Sequence, residues 1–420
     1  MKRIACFILF LFLLATHWSA AQNIHSIKLF RTGDQTTFPI LQLGGSDLLE
    51  LHFDDLDADI KNYYYAFQLC NADWSPALWN TFDYIKGFQN VRITTYRNSS
   101  LSNTRYTHYQ AQLPDRNSVP TRSGNYILKV FLNGDTSKTV FRRRFVVTDN
   151  KVTVGAQVQQ PFNAKLYRSG QKLVVAVNTD ARVKVMSPTD LKVVVLQNNN
   201  WTTSFGIDRP TIYRNNYYEY SDEAFTALPS IREFRWSDLR SFRLQSERVQ
   251  DIQVVGNKTS VTINPDKTRA DLGYVYYRDL NGSYTLEPLE NINPFWQTDY
   301  ASVRFSYFPP ENKVLPGQDL YIFGEFTNWA ADTSALMQFN AERGAYEKTL
   351  LLKQGYYSYA YATMPAGKKV FPDFTQTEGN FWNAENSYTI LVYFRPFGAR
   401  ADELIGATTV NSLVARPGGL

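Results

Sequence analysis

Beyond its first 21 residues the chain carries three histidines, His25, His52 and His108, and one cysteine, Cys70. These residue types bind zinc or exchange protons near neutral pH. No two of the histidines stand at zinc-ligand spacing. A single thiol allows neither a multi-thiolate site nor an intrachain disulfide. Each histidine therefore reads as a strand-face residue. Cys70 follows Tyr63, Tyr64, Tyr65, Phe67 and Leu69 and reads as a buried thiol in a strand. The acidic knot Asp54, Asp55, Asp57 and Asp59 raises the question of calcium. An EF-hand loop begun at Asp55 would need Gly at its sixth position and Glu at its twelfth. The chain has Ile60 and Ala66 there, so the knot reads as a solvated turn between two strands. No G-x-S-x-G elbow and no phosphate loop occur. The carboxylate pairs of glycosidases are set by distance in space, so a hydrolase has no motif behind it. The expectation is a non-enzyme without catalytic residue, metal or cofactor.

What remains is chemistry of recognition. Tyr213, Tyr217, Tyr218 and Tyr220 cluster in YRNNYYEY, within a stretch whose periodicity loosens. Aromatic density in a loop suits a protein-binding anchor, and these four are the candidate partner-binding residues. FGEFTNW, residues 323–329, follows a strand and enters a turn. Gly324 allows the bend, Asn328 tolerates left-handed backbone, and Trp329 offers a large apolar surface to a core or a ligand. The run Arg142, Arg143 and Arg144 lies inside VFRRRFVV. Strand alternation sends Arg142 and Arg144 to one face and Arg143 to the other. It reads as a solvated strand face. A formal net charge of +5 over 420 residues is mild, and without a concentrated basic face it does not point to nucleic acid.

The elements that must position these residues are strands. Aromatics make up 15% of the chain, and Tyr, Phe, Val and Thr suit a pleated, half-buried surface. Short apolar runs recur between Gly, Asn, Asp and Pro clusters, which is the spacing of sandwiches or barrels. The fold class expected is all-β, with tandem immunoglobulin-like antiparallel β-sandwich domains. Three blocks emerge: residues 22–150, 151–297 with the Tyr-rich loop, and 298–405, followed by a frayed tail at 406–420. In the first block, strands are expected at 24–30, 48–53, 63–69, 91–96, 106–113, 125–132 and 139–147. In LELHFDDL, Leu49, Leu51 and Phe53 face one way, Glu50 and His52 the other. Short helical turns are expected at 71–79 and 237–240. Lys2 and Arg3, the apolar run 4–15 and Ser19-Ala20-Ala21 have the form of a cleavable signal peptide over residues 1–21. The apolar run is too short to span a bilayer, and no second one follows. The expectation is an exported periplasmic protein that meets a membrane only through a partner.

Two resemblances add to this. FGEFTNW with LLLKQGYYSYAY resembles the early-set immunoglobulin-like domains that include glycogen-binding modules. In those modules the matching tryptophan can stack on sugar, so a carbohydrate-binding protein using Trp329 is the alternative reading. The chain departs from that pattern, with Ala360 where a Lys would fall and no Trp in TMPAGKKVF. A longer set of motifs runs through NYYYAFQLCNADW, TRYTHYQAQLPD, SGNYILKVF, RRRFVV and GNFWNAENSYTILVYFRPFGARADELIG. In that order they resemble the plug proteins of the type IX secretion system. The resemblance implies a periplasmic protein that docks on the periplasmic mouth of the outer-membrane translocon β-barrel and closes it. The final strand leads into a short Gly-rich tail where a secreted cargo would carry a sorting domain, so machinery is expected, not cargo.

Overall fold

The computed structural model describes residues 23–329, 332–368 and 370–416. The signal-peptide segment 1–21 lies outside the described residues. The chain is 47% strand and 5% helical, arranged in mostly antiparallel sheets, with Ile40–Gln42 parallel to Thr139–Thr148 among the exceptions. The all-β sandwich class expected from composition is what forms.

The first sandwich packs two sheets. One runs in the order Ile24–Arg31, Leu49–Asp55, Thr107–Leu113, Thr95–Asn98. The other runs Ile40–Gln42, Thr139–Thr148, Gly124–Leu132, Tyr63–Cys70, Val91–Arg92. Leu49, Leu51 and Phe53 face Tyr63, Tyr65, Phe67, Leu128 and Phe145 in one core. Cys70 is buried at the end of its strand, and burial pushes its thiol up to about 11. The acidic knot divides. Asp57 and Asp59 are exposed in the turn, but Asp54 and Asp55 are buried strand residues. The solvated-turn reading is corrected for those two: the third sandwich covers the outer face that carries Asp54, and Asp55 lies on the inner face, where its carboxylate accepts from the Tyr63 hydroxyl. Residues 71–79 form turns without a helix, and Arg235–Asp238 is a strand where a helical turn was expected near 237.

Strand pairing divides the rest of the chain differently from the sequence blocks. The second sandwich has one sheet of Val152–Gln159, Gly170–Thr179, Tyr217–Tyr220 and Ile212–Arg214, with Ala227–Pro229 also on Gly170–Thr179. Its other sheet is Phe205–Ile207, Leu191–Gln197, Ser387–Phe394 and Glu403–Asn411. The last two strands thus return from the far end of the chain, and residues 406–411 are ladder, not tail. The third sandwich lies between, inserted in sequence. Tyr356–Pro365 holds Arg235–Asp238, Tyr284–Thr285 and Gln318–Phe323 against a sheet built around Tyr300–Phe308 and Ala345–Lys353. The block boundaries at 297 and 298 and at 405 and 406 therefore do not coincide with sheet boundaries. The reason is legible in SYTILVYF. Tyr388, Ile390, Val392 and Phe394 enter the second core, while Leu391 and Tyr393 pack on Val146 and Phe38 of the first sandwich. A strand apolar on both faces needs cover on both, and pairing with Leu191–Gln197 supplies it.

Candidate interaction site

Charged side chains lie buried where the first sandwich meets the third. Lys28 is fully buried on Ile24–Arg31. Its ammonium donates to Glu325 of the third sandwich at 2.7 and 2.8 Å and to the Tyr284 carbonyl at 2.9 Å. Asp54 is 1% exposed. Its Oδ1 accepts from His108 Nδ1 at 2.7 Å, and its Oδ2 accepts from Lys353 Nζ and the Tyr300 hydroxyl, each at 2.5 Å. His52 lies beside His108 at 3.1 Å and stacks on Phe295 with ring centroids 3.9 Å apart. Two charged pairs thus lock the first sandwich to the third. The first is tied to the second by Tyr393 donating to Asn125 at 2.6 Å and by Asp402, which accepts from Arg395 and the Ala72 amide. Burial of this kind is costly unless each charge is paired and hydrogen-bonded, and here each is. A visible signal did exist: Glu50, His52 and Asp54 alternate along one strand face, more titratable groups than a plain solvated face needs.

The electrostatics of the lock set a pH response. Burial lowers the His108 imidazole to about 4, against the pull of Asp54. With Asp54 and Lys353 already neutralising each other, a proton on His108 would leave a net buried charge. Between about pH 6.5 and 4 the unfolded chain takes up a proton that the folded chain refuses, so this group costs stability as pH falls through that window. Asp279 acts in the opposite sense. Burial raises its carboxyl to about 7, so it favours the fold increasingly as pH falls from about 7 towards 4. Each effect is on the order of 3–4 kcal/mol, and in the wild type they largely offset. Replacing His108 by Gln should unmask the Asp279 limb. The urea midpoint of the variant, relative to wild type, should rise as pH is lowered from 6.5 to 4. A difference independent of pH would contradict the assignment.

Where the three sandwiches meet they leave a cleft of about 800 Å³. Arg142, Arg143 and Arg144 from Thr139–Thr148 form one wall, with Trp201 and Thr202 from the second sandwich and Asn328, Trp329 and Phe371 from the third. The expected alternation of the arginines is seen: Arg142 and Arg144 are exposed and Arg143 is half-buried, on a strand that lines the interdomain cleft. The Arg144 guanidinium sits 4.6 Å from the Trp74 ring centre and 5.9 Å from that of Trp201. Trp329 is half-buried. Its ring packs edge-on against Phe323 and Phe234, and its carbonyl accepts from Thr202. A Cβ added at Gly282 would come within 2.4 Å of the Trp329 ring.

The tyrosine cluster comes apart on a hairpin. Tyr218 and Tyr220 are buried in the second core. Tyr213 is 60% exposed and Tyr217 half-exposed, with its hydroxyl donating to Glu219. Alternation along Tyr217–Tyr220 forces this, so only Tyr213 and Tyr217 present a surface. Among the described residues no three His, Cys, Asp or Glu side chains are grouped to hold a metal ion, and no helix is long and apolar enough to cross a membrane.

Comparison with known proteins places this architecture. Residues 24–149, the whole first sandwich, match the family described as type 9 secretion system plug protein, first domain. The chain belongs to the type IX secretion plug protein family. The chain's three sandwiches together are similar to the crystal structure of a hypothetical protein from Parabacteroides merdae. That likeness has a TM-score of 0.89 at 30% identity and covers 93% of this chain and 97% of the other. The BSP domain of a biofilm associated protein aligns at a TM-score of 0.17 and 7% identity, which carries no weight. No curated protein matches the chain. The domain that matches the family model thus supplies the arginine wall of the cleft and half of each buried lock.

Proposed function

We propose that this chain is a non-catalytic periplasmic component of type IX secretion that binds the periplasmic mouth of the outer-membrane translocon barrel and seals it. Membership of the plug family carries the reading. The mechanism is steric. A seal must keep its shape under load, and sandwiches joined by buried, fully hydrogen-bonded charge pairs resist hinge motion better than sandwiches joined by exposed linkers. The barrel is the partner, and the chain reaches the outer membrane through it without inserting. Tyr213 and Tyr217, the exposed members of the tyrosine hairpin, are proposed as anchors within the docking face.

The test is co-purification. A tagged chain recovered from detergent-solubilised outer membranes should bring down a very large β-barrel. Recovery of the folded chain alone would overturn the reading. Tyr213→Ser with Tyr217→Ser should reduce the barrel recovered about tenfold or more if both are anchors. Undiminished recovery would remove them from the interface without touching the sealing role. Trp329→Ala should leave affinity-gel retardation on polysaccharides unchanged; glycan binding that disappears in this variant would favour a carbohydrate-binding protein instead.

A further inference from the structure

The cleft wall has two properties that its own fold leaves unused. The first is charge. Among the described residues no carboxylate lies within ion-pair distance of Arg142, Arg143 or Arg144, and burial lowers the Arg143 guanidinium from its ordinary value. The acids that share the cleft are spoken for. Glu325 is held by Lys28, and Asp332 accepts from Ser334. The second property is backbone. The inner edge of Thr139–Thr148 pairs with Gly124–Leu132, but Ile40–Gln42 covers the outer edge only at Val146, Val147 and Thr148. The Val146 amide bonds outward to the Pro39 carbonyl. In a regular antiparallel strand, groups two and four residues earlier point the same way. Arg144 and Arg142 therefore present their N–H and C=O groups to the cleft. Among the described residues the Arg142 carbonyl meets only the neighbouring Arg143 guanidinium, at 2.9 Å.

We propose that this cleft receives an extended acidic segment of a partner protein, which adds as a strand to the uncovered edge of Thr139–Thr148 and sets carboxylates opposite Arg142 and Arg144. Strand addition supplies affinity through main-chain hydrogen bonds, and side chains at alternate positions supply specificity. Cross-strand neighbours on one face match a segment with acids at every second residue. Arginine gives each carboxylate a two-pronged, charge-assisted partner. Charge on an edge also discourages unwanted pairing. This edge differs in having walls: Trp201 and Trp329 flank it and would shield the added strand from water. The inference takes the chain to be an interaction component, as above, but does not depend on the barrel being its partner.

The probe is the capped, fluorescein-labelled heptapeptide EVEVEVE, titrated into the full chain and followed by anisotropy. Saturable binding is expected. The peptide QVQVQVQ should bind about tenfold more weakly or worse, the worth of one lost ion pair of about 1.4 kcal/mol. Arg142→Gln with Arg144→Gln should lose the same factor, and Arg142→Gln alone, which touches no tryptophan, should lose part of it. N-methylation of one alternate set of peptide nitrogens should abolish binding while methylation of the other set leaves it intact, because only one set faces the edge. No binding up to about 1 mM, binding by the Gln peptide equal to that of the Glu peptide, or indifference to both methylations would each overturn the proposal. These readouts need no barrel, so failure of co-purification and failure here are separate results.

Discussion

Lys353→Met is expected to lower the stability of the chain by about 3–5 kcal/mol, read as a fall in the urea midpoint at neutral pH. The substitution keeps the volume of the stem but removes the cation from a site that is 1% exposed. Asp54 would then keep its Tyr300 and His108 hydrogen bonds and lose the ammonium that pairs with it. Removing one member of a buried pair costs more than the pair contributed, since the survivor's desolvation is no longer offset. Adding Asp54→Asn should therefore recover part of the loss. Equal destabilisation of the single and double variants would show that Asp54 does not depend on Lys353. The same reasoning gives a local readout. Lys353 is one of the groups that holds the His108 imidazole down, so the His108 resonance should titrate at higher pH in Lys353→Met than in wild type. Because Lys353 belongs to the third sandwich and Asp54 to the first, this variant also tests whether the two move as one unit.

Glu378→Ala should have a comparable effect, about 3–5 kcal/mol, confined to the third sandwich. Glu378 is fully buried and accepts from Arg235 at 3.0 Å, from Arg269 at 2.7 Å and from the Tyr361 amide at 2.9 Å. Asp266 remains to Arg235, but Arg269 would have no carboxylate left among the described residues. Burial alone would raise the Glu378 carboxyl; the two guanidiniums outweigh it and hold it at about 2. A depressed carboxyl contributes stability that is fully present above its unfolded value near 4.5 and is lost as pH falls towards 2. Wild type should show that acid limb, on the order of 3 kcal/mol, and Glu378→Ala should lack it. An acid limb unchanged in the variant would assign it to other carboxylates.

Local pattern was readable from sequence where strands obey it. The seven expected strands of the first block correspond to ladders in place, with 91–96 split into Val91–Arg92 and Thr95–Asn98. Period-two alternation located Leu49, Leu51 and Phe53 in the core correctly. What could not be read is which sandwich a strand joins. Ser387–Phe394 carries the same apolar signal whichever neighbour it takes, and its actual partner, Leu191–Gln197, lies almost two hundred residues away. The locks failed for a related reason. His52, Asp54 and Lys353 have the sequence appearance of a polar strand face, and only the docking of a second sandwich turns such a face into a buried one. The arginine run was seen as charge; its place on a half-covered sheet edge depends on how short Ile40–Gln42 is, and a three-residue strand leaves little trace in sequence. Of the tyrosines, composition marked four where alternation, applied to Tyr217–Tyr220, would have left two.

Sealing itself is most directly measured as conductance. The translocon barrel, isolated without its plug and inserted in a planar bilayer, should pass current. Addition of the purified chain to the periplasmic side should close it, and washing in the chain from the opposite side should not. A barrel that stays conducting with the folded chain bound to it would contradict the sealing role while leaving the family and the fold as they are.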